Sequence, residues 1–341
     1  MSTYQALQVT NEHEFAFVER ALVDPAPGHV RLRVKACGIC HTDVLAVAGL
    51  REDPSAPIVP GHEVVGVIDA VGAGVRRWQV GDRAGVGFLG GPCHECDFCR
   101  RGDFVNCTDQ PQTGTTVDGG YAEVVYARAS GLVRIPSAMS ATDAAPLLCA
   151  GLTTFNALQR LDLRPGALVA IQGIGGLGHL GLQHADKLGY RVVAIARGTA
   201  KQELATGLGA DHYIDSETQD AGAALQALGG ADAIVATAAS GASMSPLVAG
   251  LAPHGRLVVV GAAVDPIAVN TTDLVFGGRE LHGSLTGSAI DNEDNLAFSM
   301  AQDIASINEV VALADAPAAF DRMMAGEARF RVVIDLASTA S

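Results

Sequence analysis

Four cysteines, Cys93, Cys96, Cys99 and Cys107, stand within fifteen residues in the stretch GGPCHECDFCRRGDFVNC. Thiols spaced C-x2-C-x2-C-x7-C suit four thiolates around a tetrahedral Zn²⁺, a closed set that leaves no position for substrate and so reads as structural. A loop of inert thiols and an iron–sulfur ligand set are the competing readings; the common iron–sulfur spacing carries a proline after its last cysteine, absent here. A second set is scattered along the chain. CGICHTD supplies Cys40, GHEVVG supplies His62 and Glu63, and AAPLLCAGLTT supplies Cys149. Three such ligands plus one open position describe a catalytic zinc, while packed or hydrogen-bonded core residues are the plainer alternative. Cys37 lies beside alternating apolar residues and reads as a small buried hydrophobe.

A third constellation is ALVAIQGIGGLGHLGLQHADKLG, which sets Gly173, Gly175 and Gly178 in a G-x-G-x-x-G pattern directly after a strand and before a helix. Glycines there allow a tight turn and close approach of a pyrophosphate, whose charge is held at the helix N-terminus. Strand, loop, helix and next strand follow in order within about thirty residues, as a dinucleotide site requires. An acidic residue at the end of the second strand would bind the ribose 2′-hydroxyl of NAD. Ala196 stands there, followed by Arg197 and, after a short turn, Lys201. Two cations and no carboxylate favour the 2′-phosphate of NADP(H), although Arg197 could equally stack on adenine and both cations could be a solvated helix start.

The elements that must position these residues fall into two patterns. To about residue 145 the chain reads as short β-rich segments, such as HVRLRVKACG and EVVGVIDAVGAGV, broken by Gly, Pro and Asp. From about Leu168, apolar runs (ALVAIQG, YRVVAIA, ADAIVATA, GRLVVVGA) alternate with helical stretches, the pattern of buried parallel strands with crossover helices. Beyond about residue 285 the character is mixed, ending on the strand-like RFRVVIDL, which the pattern predicts to rejoin the first region. With 341 residues, about two domains are expected. A net charge of −14 disfavours a nucleic-acid partner, which normally meets a basic face. The sequence shows no apolar run long enough for a membrane span, and its opening residues lack a signal-peptide pattern. A cytoplasmic protein is therefore expected, in a reducing compartment where metal ligation or burial explains seven cysteines better than disulfides do.

Taken together, CGICHTD, GHEVVG, the four-cysteine loop, DGGYAEVV, CAGLTT, GIGGLG and the final RVVID resemble, in order and spacing, the zinc-dependent alcohol dehydrogenases of the medium-chain dehydrogenase/reductase superfamily. The resemblance covers nearly the whole chain. It implies an α/β fold: a GroES-like, β-rich catalytic domain formed by residues 1–150 and 286–341, a partly closed barrel, with a Rossmann doubly wound domain of residues 151–285 inserted, and an active site in the interdomain cleft. It implies two zinc ions per subunit. One is catalytic on Cys40, His62 and Cys149 with Glu63 as alternate or outer ligand; the other is structural on the four-cysteine loop. In the mechanism the resemblance implies, a zinc held there would supply Lewis acidity at the alcohol oxygen and the nicotinamide would accept the hydride. The resemblance further implies that Thr42 bonds the reacting oxygen and begins a proton relay, that Asp43 orients His62, and that His41 and Arg331 face the cofactor phosphates. The expected cofactor contacts are Gly173, Gly175, Gly176, Leu177, Gly178, Ala196, Arg197, Lys201, Val260 and Arg331.

Two departures from the family pattern bear on substrate. Yeast-type members end the relay on a histidine where this chain has Ala48, and the pocket tryptophan that follows gives way to Leu50 and Arg51. Leu50, Phe88 and Leu285, if they converge, would favour apolar or aryl substrates. The activity implied is interconversion of alcohols with aldehydes or ketones, with NADP(H) first and NAD(H) second. A polyol dehydrogenase would commonly carry glutamate in place of Cys149. A zinc-free quinone reductase would lack both metal sets. From another class, a zinc-ribbon binding protein with a vestigial nucleotide fold remains, opposed by the acidic charge and the second ligand set. The expected partners are a small-molecule alcohol, aldehyde or ketone and further copies of the chain, a homotetramer first and a homodimer second.

Overall fold

In a computed structural model of the chain, residues 2–10, 14–51 and 53–337 are described. The chain divides into two compact units. The first comprises residues 1–149, 287–300 and 305–341, and the second residues 150–286 and 301–304.

The first unit opens with an antiparallel pair, β1 (Thr3–Val9) and β2 (Phe15–Ala21). Its main strand is β3 (His29–Ile39), where Val30, Leu32, Val34 and Ala36 point inward and alternate with His29, Arg31, Arg33 and Lys35. That period of two lets one face join the core while the other meets solvent. β4 (Glu63–Val71), β5 (Arg83–Val86), β6 (Val124–Arg128) and β7 (Leu132–Arg134) follow.

In the second unit, six strands lie parallel: β8 (Leu168–Gln172), β9 (Arg191–Ala196), β10 (His212–Asp215), β11 (Ala231–Ala236), β12 (Leu251–Val259) and β13 (Glu280–Gly283). Their order, β10-β9-β8-β11-β12-β13, is the doubly wound arrangement in which the chain starts centrally and winds out to both sides. β8 is buried along its whole length because helices cover both faces of a parallel sheet. Among the described residues, no helix is long and apolar enough to cross a bilayer.

The last two strands, β14 (Asn308–Val311) and β15 (Arg331–Asp335), belong to the first unit again. They complete a seven-stranded sheet ordered β14-β15-β3-β4-β5-β7, with β6 also pairing β3. β15 runs antiparallel to β3 with Val332 opposite Ile39, and β3 runs antiparallel to β4 with Gly38 opposite Glu63. Arg331, Cys40 and His62–Glu63 therefore sit at neighbouring strand ends, although they are far apart in sequence.

Candidate active site and metal centres

Cys40 follows the last residue of β3 and caps the short 3-10 turn His41–Asp43. That turn folds the Asp43 carboxylate back beneath the strand, where it is buried and receives three hydrogen bonds. The Cys40 amide donates to Asp43 Oδ2 at 2.9 Å, the Tyr121 hydroxyl donates to the same oxygen at 2.9 Å, and His62 Nδ1 meets Oδ1 at 2.8 Å. A carboxylate accepts, so Nδ1 carries the hydrogen and the opposite nitrogen of His62 is oriented for ligation. His62 Nε2 is buried with no hydrogen-bond partner, as is Glu63 Oε2.

One donor atom each from Cys40, His62, Glu63 and Cys149 lies within 4.8 Å of every other. The Sγ atoms of Cys40 and Cys149 are 3.9 Å apart. A tetrahedral zinc with bonds near 2.3 Å needs ligand sulfurs roughly 3.8 Å apart, so this pair is spaced for one ion. Two thiol sulfurs at that spacing, beside an unpartnered buried imidazole nitrogen and carboxylate oxygen, fit a divalent cation.

The charges tell the same story. The bond from Cys149, outweighing burial and helped by His62 and Arg331, holds the Cys40 thiol well below its ordinary value. Burial alone would lower His62, but the charges of Asp43 and Cys40 push it well above the usual imidazole range. A metal ion bound there would displace whatever protons these groups carry. Burial pushes the Glu63 carboxyl up to about 8 against the pull of Arg331, whose guanidinium bonds Glu63 Oε1. Arg331, expected at the cofactor phosphate, is itself buried in this pair, with its Nε unpartnered.

Other expected residues stand as follows. Thr42 is half-buried in the 3-10 turn and His41 is exposed. The Phe88 ring lies edge-on to His62 with centroids 5.5 Å apart. Leu50 and Leu285 are exposed, on the first and second units respectively.

The four-cysteine loop is built by local backbone. The amides of Glu95 and Cys96 donate to Cys93 Sγ at 3.4 and 3.3 Å, and the Cys93 amide donates to Cys107 Sγ at 3.3 Å. Cys93 Sγ lies 3.5 Å from Cys107 Sγ and 4.0 Å from Cys99 Sγ, far beyond a disulfide bond and close to a zinc tetrahedron's edge. Backbone donors from Cys99 and Thr108 pull Cys96 down to about 6, whereas burial and Cys107 push Cys99 up to about 12. The donors of this loop fit a four-thiolate ion.

In the second unit, Gly173 adopts φ +89° at the end of β8, a conformation an L side chain rarely takes. A Cβ on Gly178 would stand 1.8 Å from the Gly173 carbonyl oxygen, so the helix Gly178–Lys187 can approach the turn only without one. A Cβ on Gly175 would meet nothing, leaving that side of the loop, with Gly176 and Leu177, open to a pyrophosphate. Thr237, which the sequence pattern did not single out, braces the turn by donating to the Gly173 carbonyl at 2.7 Å. Arg197 is exposed after Ala196, while Lys201 Nζ donates to the Ile174 carbonyl at 2.7 Å and so ties down the glycine loop. Val260 is half-buried just beyond β12, packed against the core on that side of the sheet.

Tyr121 also escaped the sequence reading, although it stands in DGGYAEVV; its signal was a lone aromatic after two glycines. Replacing Tyr121 with Phe removes one of the three donors to Asp43 and should cost about 1–2 kcal/mol of stability. Thermal unfolding with metal analysis of the same sample checks this, the expected result being a lower melting temperature and loss of one metal before the other; an unchanged protein would show that the hydroxyl braces nothing.

Residues 26–137 match the alcohol dehydrogenase GroES-like domain family, and residues 176–302 match the zinc-binding dehydrogenase family. An alcohol dehydrogenase from Aspergillus sp. (strain MF297-2) is 42% identical over 325 residues, 95% of each chain. A cinnamyl alcohol dehydrogenase from Sorghum bicolor superposes with a TM-score of 0.90 at 32% identity, covering 98% of each chain. The CAD from Helicobacter pylori complexed with NADP(H) superposes with a TM-score of 0.87 at 26% identity, again over 98% of each chain. Two matched domain families, a relative this similar end to end, and one GroES-like and one doubly wound unit in the same chain place it among the zinc-type alcohol dehydrogenases of the medium-chain dehydrogenase/reductase superfamily, oxidoreductases that act on alcohols.

Proposed function

We propose that the chain is a zinc-dependent alcohol dehydrogenase or carbonyl reductase, cytoplasmic, that prefers NADP(H) to NAD(H). The observation that carries this reading is the convergence of Cys40, His62 and Cys149 around orphaned donors, braced by Asp43. When bound, zinc supplies Lewis acidity at the alcohol or carbonyl oxygen and the nicotinamide supplies the hydride acceptor or donor. The protein's own residues do the rest. Asp43 fixes the His62 ring so that its free nitrogen, rather than its N–H, faces the donor cluster. Thr42 Oγ1 accepts and donates in one step, which lets it take a proton from the substrate hydroxyl. Because Ala48 has no titratable group, that proton leaves by water or through another residue. The Phe88 ring beside His62 gives the site an apolar, aromatic wall. That wall and the cinnamyl alcohol dehydrogenase among the relatives make aryl alcohols the first substrates to try.

For the cofactor, Ala196 brings no carboxylate to the end of β9, and the Asp215 carboxylate on the neighbouring strand is occupied by the Gly198 and Glu217 amides, from which it accepts at 2.7 and 2.9 Å. Arg197 stays exposed at that turn. The NADP(H)-complexed relative supports the same choice. We also propose that copies of the chain associate, as a tetramer first and a dimer second. β13 ends the parallel sheet with all four residues, Leu281 among them, exposed, and Val275 and Phe276 are exposed on the helix Thr271–Gly277 before it, an edge that a second copy would cover.

Oxidation of a panel of primary, secondary and aryl alcohols, with NADP⁺ and NAD⁺ in parallel and zinc measured on the same samples, tests the reading. Wild type should carry two zinc ions and turn over. Cys40→Ala should lose one ion and all turnover, whereas Cys99→Ala should lose one ion and mainly stability; full turnover in Cys40→Ala would sink the assignment. Arg197→Ala should cut the NADP⁺ preference by roughly tenfold to a hundredfold, the worth of one hydrogen bond to a charged group, and an unchanged ratio would give Arg197 to adenine or solvent. Light scattering during gel filtration should give a mass of about four chains; a monomer at micromolar concentration would refute the edge assignment.

A further inference from the structure

A helix packed against a core normally buries an apolar stripe. The helix Ala289–Ala301 buries Asn292, Asn295, Leu296 and Ser299 on one face, so three of those four positions are polar. Buried carboxamides are tolerated only with partners, and here the partners share one short segment. Asn292 Nδ2 donates to the Leu148 carbonyl at 3.1 Å, and Asn295 Nδ2 donates to the Leu147 carbonyl at 3.0 Å. Ser299 Oγ donates to Asn295 Oδ1 at 3.4 Å, which fixes the amide so that its nitrogen faces Leu147.

Leu147 and Leu148 begin a π-helical turn, Leu147–Gly151, with Cys149 at its centre. Such a turn holds one residue more than an α-helical turn, and it re-aims the side chains it carries while leaving carbonyls out of regular pairing. The segment before it is irregular for a second reason. Pro146 has no N–H to give the Thr142 carbonyl four residues back, and Asn308 Nδ2 supplies that bond at 3.0 Å. Beyond the cysteine, Thr154 Oγ1 lies 3.0 Å from the Ala150 carbonyl. Space for the Asn292 bond is also provided. A Cβ on Gly87 would come within 2.9 Å of the Leu148 oxygen and 3.8 Å of Asn292 Nδ2.

We propose that Asn292 and Asn295 are positioning residues for Cys149: their amides hold the widened turn open, so that the Cys149 thiol points at Cys40 instead of rotating away in a relaxed α-helical turn. The assignment rests on the reading of Cys149 as a metal ligand. It explains why a helix from the C-terminal part of the chain spends its buried face on amides, and it places part of the control of the metal site about 145 residues downstream of the ligand it serves.

The test compares wild type with Asn292→Leu, Asn295→Leu, the milder Asn292→Ser and Asn295→Ser, and Leu296→Ala as a packing control on the same helix face. Each protein is loaded with Zn²⁺ or Co²⁺ and assayed for metal content, for release of metal to a chromogenic chelator, and for the cobalt–thiolate absorption. In the asparagine variants one equivalent should leave at least about tenfold faster, with altered cobalt absorption, while the second leaves at the wild-type rate. Serine variants should fall between wild type and leucine. Leu296→Ala should lower the melting temperature without hastening release. Wild-type release from all the asparagine variants, or equally fast release from Leu296→Ala, would overturn the proposal. A wild-type protein that binds only one equivalent would instead refute the catalytic-metal reading itself, and this inference with it.

Discussion

The buried carboxylate of Asp43 is the constraint around which the first unit is arranged. It accepts from a backbone amide, a tyrosine hydroxyl and an imidazole at 2.8–2.9 Å, three donors contributed by the end of β3, the entry to β6 and the entry to β4. Removing a charge from water is costly unless it is bonded this fully. The three segments must therefore meet at one point for the unit to be stable, and the point at which they meet also sets the His62 ring. Orientation of the His62 ring and cohesion of the sheet are in this way the same interaction.

Bringing three chain segments onto one carboxylate leaves little room, and the small residues around it follow from that. A Cβ on Gly61 would stand 2.4 Å from the Tyr121 ring and 2.7 Å from Cys37 Sγ; one on Gly120 would stand 2.7 Å from the same sulfur. A Cβ on Gly38 would collide with the Glu63 carboxylate at 1.8 Å. Cys37 is the volume that remains between these glycines. Burial pushes its thiol well above the ordinary value, so it serves as a small apolar filler rather than as a reactive group.

Much of this was legible in the sequence, for identifiable reasons. The strands of both units announce themselves through period-two alternation in HVRLRVK and through continuous apolar runs in ALVAIQ, because burial on one face or on two leaves different patterns. Motifs with fixed spacing, such as the four cysteines and the three glycines, carry their geometry within themselves. What the sequence concealed was polar chemistry buried by tertiary contact. Tyr121, Asn292, Asn295 and Thr237 are ordinary residues until another segment supplies their partners, and a helix face of Asn, Asn and Ser reads as solvent-facing by composition. Arg331 shows the same limit from the other side. The terminal RVVID was readable as a strand, but the pairing of its first residue with Glu63 depends on β15 lying beside β3, a register that no local pattern encodes.

The two candidate ligand clusters differ in how the chain assembles them. The four-cysteine loop closes over fifteen residues, and backbone amides within that loop already point at its sulfurs, so the ordering entropy of the site is small and is met locally. The Cys40, His62 and Cys149 set spans more than a hundred residues, and each member depends on another element for its direction: the 3-10 turn, the β4 entry and a π-turn steadied by side-chain amides. A cation cannot gather that set from an unfolded chain without first closing the sheet, so the fold must precede the site. A donor group assembled at such conformational cost, with an imidazole nitrogen and a carboxylate oxygen left unpartnered, agrees with the function proposed for it, in which the geometry must keep one position for substrate.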